Sequence, residues 1–330
     1  MNGKFARHIL IVIAALAMVS CMKETIVERD AISFAPVASK TTKAIIEGND
    51  YPDNVPFAVS AFYNGSALYF SDVTARPTAA LNCWETTSPE YWPLDGSLTF
   101  YAYSPGTSAG ATTSAATGVA FSNYTVDHET DLCIASYTES NCAQRASSTV
   151  PLQFTHALSQ IVVKIRQTQN YNAEINNKSN IVAITVNELS LKDMYVNAAF
   201  TQLPTPTWSI TQQSETGEYE FSLGNSGLAL TAGAAAQQVG LLLTIPQSLE
   251  GVCLHTVYTV TQTVTDNTTS ETNVFTVTTP VDIPLSQNLS SWACGKKYIY
   301  TLSYGLEPIE IQASTVEWVA DGGEIIVEEE

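Results

Sequence analysis

Positive charge is scarce in this sequence. Its 330 residues include 14 Lys and Arg against 32 Asp and Glu, a formal net charge of −18. Between Asp193 and Gly295 there is no Lys or Arg at all, and between Lys43 and Pro151 only Arg76 and Arg145 occur. A chain this acidic is repelled by phosphate backbones and has no basic stripe to offset the repulsion. Nucleic acid is excluded as a partner, and so is charge-driven docking on anionic lipid. Beyond the leader, helical periodicity is nearly absent, which leaves strands to build the fold. Catalytic patterns are lacking too: no GxSxG, HExxH or P-loop motif, no CxxC and no Cys/His ligand spacing occurs. No catalytic residue, metal or cofactor is therefore expected, and the chain reads as a non-enzyme. Asp127-His128-Glu129 with Asp131 resembles a metal cluster, but adjacent strand residues point to opposite faces, so it reads as a solvated turn. His156 reads as a hydrogen-bonded interior side chain rather than a base.

No apolar run is long enough to cross a bilayer. Spanning takes about 20 apolar residues, each adding about 1.5 Å to a helix through roughly 30 Å of hydrocarbon. The uncharged block from Ile9 to Val19, preceded by Lys4 and Arg7, falls well short of that. A basic start, a short apolar block and a small-residue exit describe a secretory signal, assigned to residues 1–20. Ser20-Cys21, with Met18 and Val19 before it, resembles the bacterial lipobox, so Cys21 is read as the lipidated first residue of the mature chain. An ordinary signal peptide cut elsewhere is the alternative. More than one acyl chain, at about 0.8 kcal/mol per buried methylene, holds a domain on a membrane stably. The other five cysteines, Cys83, Cys133, Cys142, Cys253 and Cys294, cannot all pair within the chain. They read mostly as buried thiols, with Cys133–Cys142 or Cys253–Cys294 as the pair that a single bridge would join.

What is abundant is alternation with a period of two, broken by Gly, Pro, Asn and Asp. Phe57, Val59, Ala61 and Tyr63 alternate up to Asn64-Gly65, whose tolerance of positive φ predicts a tight hairpin into Ala67–Phe70. Leu98, Phe100 and Ala102 predict a strand; Ile161, Val163 and Ile165 predict another with a wetter opposite face. His255–Val264 and Asn273–Thr279 flank the turn TDNTTSE, and Tyr298, Tyr300, Leu302 and Tyr304 alternate again. Many short strands between polar turns predict an all-β sandwich architecture. The small-residue stretches Gly106–Gly118 and Thr231–Gln238 read as loops, the first alternatively as a slack strand connection and the second as one helical turn. A boundary between two domains is expected at Asn141–Thr149, ahead of Pro151.

Four stretches, in order, are similar to one family. Residues 88–105 carry Trp92-Pro93 and then Phe100-x-Ala102-Tyr103-x-Pro105; Asp131-Leu132 is followed by Ala135. Leu152-x-Phe154-x-His156-x-x-Ser159 comes next, and Trp292 with Gly295-x-x-Tyr298-x-Tyr300 and a downstream Trp318 closes the set. This pattern resembles the fimbrillins, subunits of type V pili. The resemblance implies two transthyretin-like β-sandwich domains in tandem, export as a lipoprotein, proteolytic maturation and assembly by donor-strand exchange. It divides the chain into a signal peptide (1–20), a lipidated propeptide with the first strand (21–43), an N-terminal sandwich (44–149), a C-terminal sandwich (150–308) and a C-terminal extension (309–330).

Fimbrillins are cut after a basic residue in this region. Lys43-Ala44 is the matching bond and Lys40 the runner-up, with lysine in place of the arginine of the best-known members; the other reading of Lys43 is a solvated loop residue. Few other bonds suit a Lys/Arg-specific protease, because Arg76 precedes Pro77 and Lys164 and Arg166 fall in a predicted strand. A vacated strand leaves an edge and an uncovered core that another strand can fill. The candidate donors are Ile309, Ile311, Val316, Trp318, Ile325 and Val327. Three such side chains in groove pockets would contribute about 1.5–3 kcal/mol each before ordering costs. The other reading of the tail is an intramolecular edge strand followed by a frayed acidic end. The implied partners are other pilus subunits, a processing protease, the outer membrane through the precursor's lipid and host or bacterial surface ligands. The implied location is the outer-membrane surface and the fimbrium. A different class of function, a monomeric surface lipoprotein that binds glycans, would use Trp84, Tyr91 and Trp92 as a stacking platform.

Overall fold

The computed structural model describes residues 29–38, 51–52, 55–80 and 82–318. Among these, the elements are strands apart from two short 3-10 turns, Cys142–Gln144 and Leu285–Gln287. The all-β class expected from the alternation is the class the chain adopts. Asn64 and Gly65 take φ values of 48° and 77°, the positive pair that a two-residue hairpin twisting with its strands requires.

The first half supplies β1 (Ser33–Ala38), β2 (Phe57–Tyr63), β3 (Ala67–Pro77), β4 (Trp84–Thr86), β5 (Leu98–Ser104), β6 (Ala111–Ser114), β7 (Gly118–Thr125), β8 (Cys133–Glu139) and β9 (Thr149–His156). Seven of them form a sheet that closes on itself in the order β1-β4-β3-β2-β5-β8-β9. The closing strand is β1. It runs antiparallel to β4 and parallel to β9, from Ser33 beside Thr149 to Ala38 beside Phe154. Inside lies an aromatic core that includes Phe34, Phe57, Trp84, Trp92, Phe100 and Phe154.

The second half supplies β10 (Ser159–Gln167), β11 (Ala173–Ile175), β12 (Lys178–Tyr195), β13 (Asn197–Thr201), β14 (Thr207–Ser209), β15 (Thr216–Glu220) and β16 (Leu228–Ala229). It continues with β17 (Gln237–Thr244), β18 (Cys253–Asp266), β19 (Thr272–Pro284), β20 (Lys296–Tyr304) and β21 (Glu310–Glu317). One sheet runs β17-β10-β20-β21; the other runs β11-β12-β18-β19, with β15 and β16 also on β12. Ile161, Val163, Ile165, Tyr300 and Leu302 from the first pack against Ile184, Val186, Leu191 and Leu254 from the second. This is a sandwich core, and the predicted strand around Ile161 buries the face that its pattern assigned.

The two halves are joined by more than a linker. β7 from the first pairs with β13 from the second inside a sheet ordered β14-β13-β7-β6. A third core, with Tyr103, Phe121, Tyr124 and Leu132 on one side and Leu158, Phe200, Leu243 and Trp318 on the other, lies between them. Buried Gln202 bridges the two: its Oε1 accepts from Val119 N at 3.0 Å and its Nε2 donates to Ala135 O at 3.1 Å. The boundary expected at 149/150 assigns β9 to the second half, whereas the backbone pairing of β9 is with β1 and β8. The chain passes from one sheet to the next at Ala157 and Leu158. The slack stretch after Gly106 is the β6–β7 hairpin. In the second small-residue stretch, Ala232 makes a single bridge to Gln167 before β17 begins.

Candidate functional site: the first strand and the root of the tail

The alternation of β1 is read directly in its burial. Ile32, Phe34 and Pro36 point into the closed sheet, while Ser33 and Ala35 are half-buried and Val37 is exposed. Phe34 has no exposed surface and meets Phe57 and Phe100 edge to face, with centroids 5.7 and 5.9 Å away. Such pairs add about 0.5–1.5 kcal/mol beyond the area buried. The entry of β1 is fastened as well: Ile32 N donates to Glu90 O at 2.7 Å, and Trp92 N donates to Asp30 O at 3.1 Å. Arg145 forms an ion pair with Asp30 and lies 5.3 Å from the centre of the Trp92 ring. β1 thus fills a slot whose walls are β4 and β9 and whose floor is the aromatic core.

At the other end of the chain, β21 runs antiparallel to β20 from Ser303 beside Glu310 to Lys296 beside Glu317. The structure places four of the six candidate donor residues here. Ile309 and Ile311 pack on the sandwich core, whereas Val316 is buried and Trp318 enters the core between the halves. Trp318 stacks on the His156 imidazole at 3.8 Å with an interplanar angle of 7°. The strand therefore uses one face and then the other. The remaining positions singled out from the sequence, Cys21, Lys43, Ala44, Ile325 and Val327, lie outside the described residues.

His156 is the interior hydrogen-bonded residue that its strand suggested, and its partners are more specific than the sequence reveals. Its Nδ1 donates to Asp131 Oδ2 at 2.6 Å, and the Cys133 thiol donates to the same oxygen at 3.4 Å. Burial, and secondarily the Asp131 carboxylate, push the Cys133 thiol well above its ordinary range. Asp131 parts company with its sequence neighbours. Asp127 caps the local turn, accepting from Glu129 N and the Thr130 hydroxyl, which holds its carboxyl below the usual range. His128 faces Leu243 O at 2.8 Å instead. No spacing in the sequence announces the Asp131–Cys133–His156 group, because β8–β9 pairing creates it. The five cysteines among the described residues are free, two of them buried and three half-buried.

The glycan platform is not assembled. Trp84 and Trp92 are 1% and 2% exposed and belong to the core; only Tyr91 reaches solvent. Large aromatics next to turns read from sequence as surface features, but here the closed sheet needs them as filling. Outside it, a shallow groove is lined by residues that include Arg29, Tyr63, Leu68, Tyr69 and Leu94, and the Tyr63 hydroxyl donates to Asp95 there.

A family model described as fimbrillin-like matches residues 41–318. No curated protein matches the chain in sequence. Solved structures share its fold at low identity. A candidate cell adhesion protein from Bacteroides uniformis has a TM-score of 0.53 at 14% identity, covering 88% of this chain and 99% of that one. One from Bacteroides ovatus has a TM-score of 0.51 at 14% identity, with 89% and 100% covered. One from Parabacteroides distasonis has a TM-score of 0.51 at 10% identity, with 87% and 97% covered.

Proposed function

The chain belongs to the fimbrillin-like family, and from that premise we propose that it is a structural and adhesive pilus subunit that polymerises by donor-strand exchange. It is exported as a lipoprotein acylated on Cys21, anchored to the outer membrane as a precursor and cut beside Lys43 by a Lys/Arg-specific protease. A neighbouring subunit's tail then takes the slot of β1. The role is architectural rather than enzymatic, with other subunits and surface ligands as partners. The solved proteins that share the fold are described as candidate cell adhesion proteins, which agrees with this reading.

The observation that carries it is the position of β1. It is the strand that closes the first sheet, and it ends at Ala38, on the N-terminal side of the proposed cleavage bond, so a cut there would separate it from the rest of the sheet. Losing it would unpair β4 and β9 and open the sites of Ile32, Phe34 and Pro36. Refilling three such sites contributes about 1.5–3 kcal/mol each, so durability would rest on the barrier to unfolding the acceptor rather than on equilibrium affinity. Head-to-tail exchange of this kind does not close on itself and gives a filament. Donating β21 would strip its pairing with β20 and uncover Trp318, whereas a donor containing Ile325 and Val327 leaves that strand in place. The second is the donor we assign.

The test compares three forms of the precursor after digestion with a trypsin-like protease. The parent should lose residues up to Lys43 by mass and give multimers that survive mild heating in detergent. The double variant Lys40→Ala with Lys43→Ala, which leaves neither candidate bond beyond β1, should keep β1 and stay monomeric. A chain ending at Trp318 should be cut normally and also stay monomeric. Multimers built from a chain that still carries β1 would sink the reading.

A further inference from the structure

Asp131, Cys133 and His156 meet because of register. Cys133 opens β8 and lies opposite His156, the last residue of β9. Asp131 precedes Cys133 by two positions and so returns to the same side of the chain. Three donor atoms of three kinds, a carboxylate oxygen, a thiol sulfur and an imidazole nitrogen, lie within 4.8 Å of one another. The residues are 3%, 1% and 6% exposed. A second observation points to a ligand: Asp131 Oδ1 is buried and has no hydrogen-bond partner. Buried carboxylate oxygens are seldom left so, and an ion at the site is one of the few remedies.

We propose that Asp131, Cys133 and His156 form a binding site for one borderline-soft divalent cation of the Zn²⁺ type. Bond lengths of about 2.0–2.2 Å to oxygen and nitrogen and about 2.3 Å to sulfur set tetrahedral ligand separations of roughly 3.3–3.6 Å. Two of the three separations already match. Cys133 Sγ is 3.4 Å from Asp131 Oδ2 and 3.6 Å from His156 Nδ1. The third, Nδ1 to Oδ2 at 2.6 Å, is a hydrogen bond, and it opens by less than about 1 Å when a cation replaces the proton. With Asp131 bidentate, Oδ1 would add a longer contact that distorts the tetrahedron, since two oxygens of one carboxylate lie too close together to occupy two of its corners. On binding, the Cys133 thiol proton leaves to solvent and the imidazole changes tautomer, its proton moving from Nδ1 to Nε2 by exchange with solvent, so that Nδ1 presents a lone pair. A carboxylate, a thiolate and a neutral imidazole then balance a dication, so the buried site carries no net charge. Sulfur and nitrogen donors select zinc-like ions over calcium or magnesium. Trp318, stacked on the imidazole, covers the site and ties it to β21.

The experiment uses the full mature chain, refolded from denaturant in the presence of chelator or of Zn²⁺ and then desalted. Elemental analysis should find about one zinc per chain in the second sample only, and its thermal midpoint should lie several degrees above the first. Refolding with Co²⁺ should give a thiolate-to-cobalt charge-transfer band. Cys133→Ala should abolish that band, while Cys253→Ala, which removes a half-buried thiol elsewhere, should keep it. Substoichiometric zinc with an unmoved midpoint overturns the site and leaves the three residues as a metal-free ion pair and thiol. A cobalt band that survives Cys133→Ala overturns it equally. If Cys133→Ala fails to fold, stoichiometry and midpoint in the parent chain decide.

Discussion

A single tryptophan shows how residue-scale packing escapes sequence reading. Val316 and Trp318 alternate, which marks them as strand residues with apolar faces; which body they cover is set by a contact with His156 on β9. That pairing joins positions far apart in sequence, as does the meeting of His156 with Asp131, so neither is legible from spacing. By contrast, the burial of Ile161, Val163 and Ile165 follows directly from local alternation. Trp318 is 3% exposed and sits in the core between the halves. Trp318→Ala should therefore cost about 3–5 kcal/mol, the range for emptying a large buried aromatic site. Trp318→Phe, which keeps a ring over the imidazole, should cost markedly less. Urea unfolding monitored by far-UV dichroism gives both values. A loss under about 0.5 kcal/mol for the alanine variant, the range of exposed substitutions, would mean that the root of the tail is not seated on His156.

Elements were the most legible scale. Asn64-Gly65 announces the β2–β3 hairpin because few residue pairs tolerate positive φ at both positions, and TDNTTSE announces β18–β19. What local pattern cannot convey is which strands pair across the molecule. β1 lies parallel to β9, and β7 joins β13, through contacts that no local signal encodes. The small-residue run Gly106–Gly118 reads only as a loop or a slack strand connection, because small residues carry no alternation to detect. Edges are hidden from sequence for the same reason. Among the described residues, β19 pairs along one side only, with β18, and Val274, Phe275 and Val277 are 60%, 57% and 63% exposed. From Thr272 to Val281 this strand carries no charge. An open, uncharged apolar edge is a template for unwanted pairing. Val277→Lys should lower light scattering during refolding while shifting stability by no more than about 0.5 kcal/mol, as expected at an exposed position. Unchanged scattering would show that β19 is not the adhesive edge.

At the scale of the whole molecule, the shared sheet and the core between the halves imply that neither half loses its fold alone, and buried tyrosines offer a way to see this. Tyr51 lies in the first core, Tyr124 in the shared one, and Tyr300 and Tyr304 in the sandwich core. Burial above all raises the phenol of each well beyond its ordinary value. Tyr51 gives a hydrogen bond of 2.6 Å with Ser104, and Tyr300 accepts from the Trp292 indole at 2.9 Å, so each neutral ring is already placed in a polar contact. For a group whose folded value is raised, the stabilisation is complete below the unfolded value and is lost as pH climbs from there toward the folded one. The unfolded thiol titrates at about pH 8.5 and the unfolded phenol at about pH 10. The denaturation midpoint should therefore start to fall above about pH 8.5, through the buried thiols of Cys133 and Cys294, and fall steeply above about pH 10 as the tyrosines join. Because the affected rings occupy all three cores, phenolate absorbance from the buried set should appear together with loss of strand dichroism, in one transition. Two separated transitions, with the signal from one half preceding the other, would show that β7–β13 pairing and the core around Phe121 and Phe200 do not couple the halves.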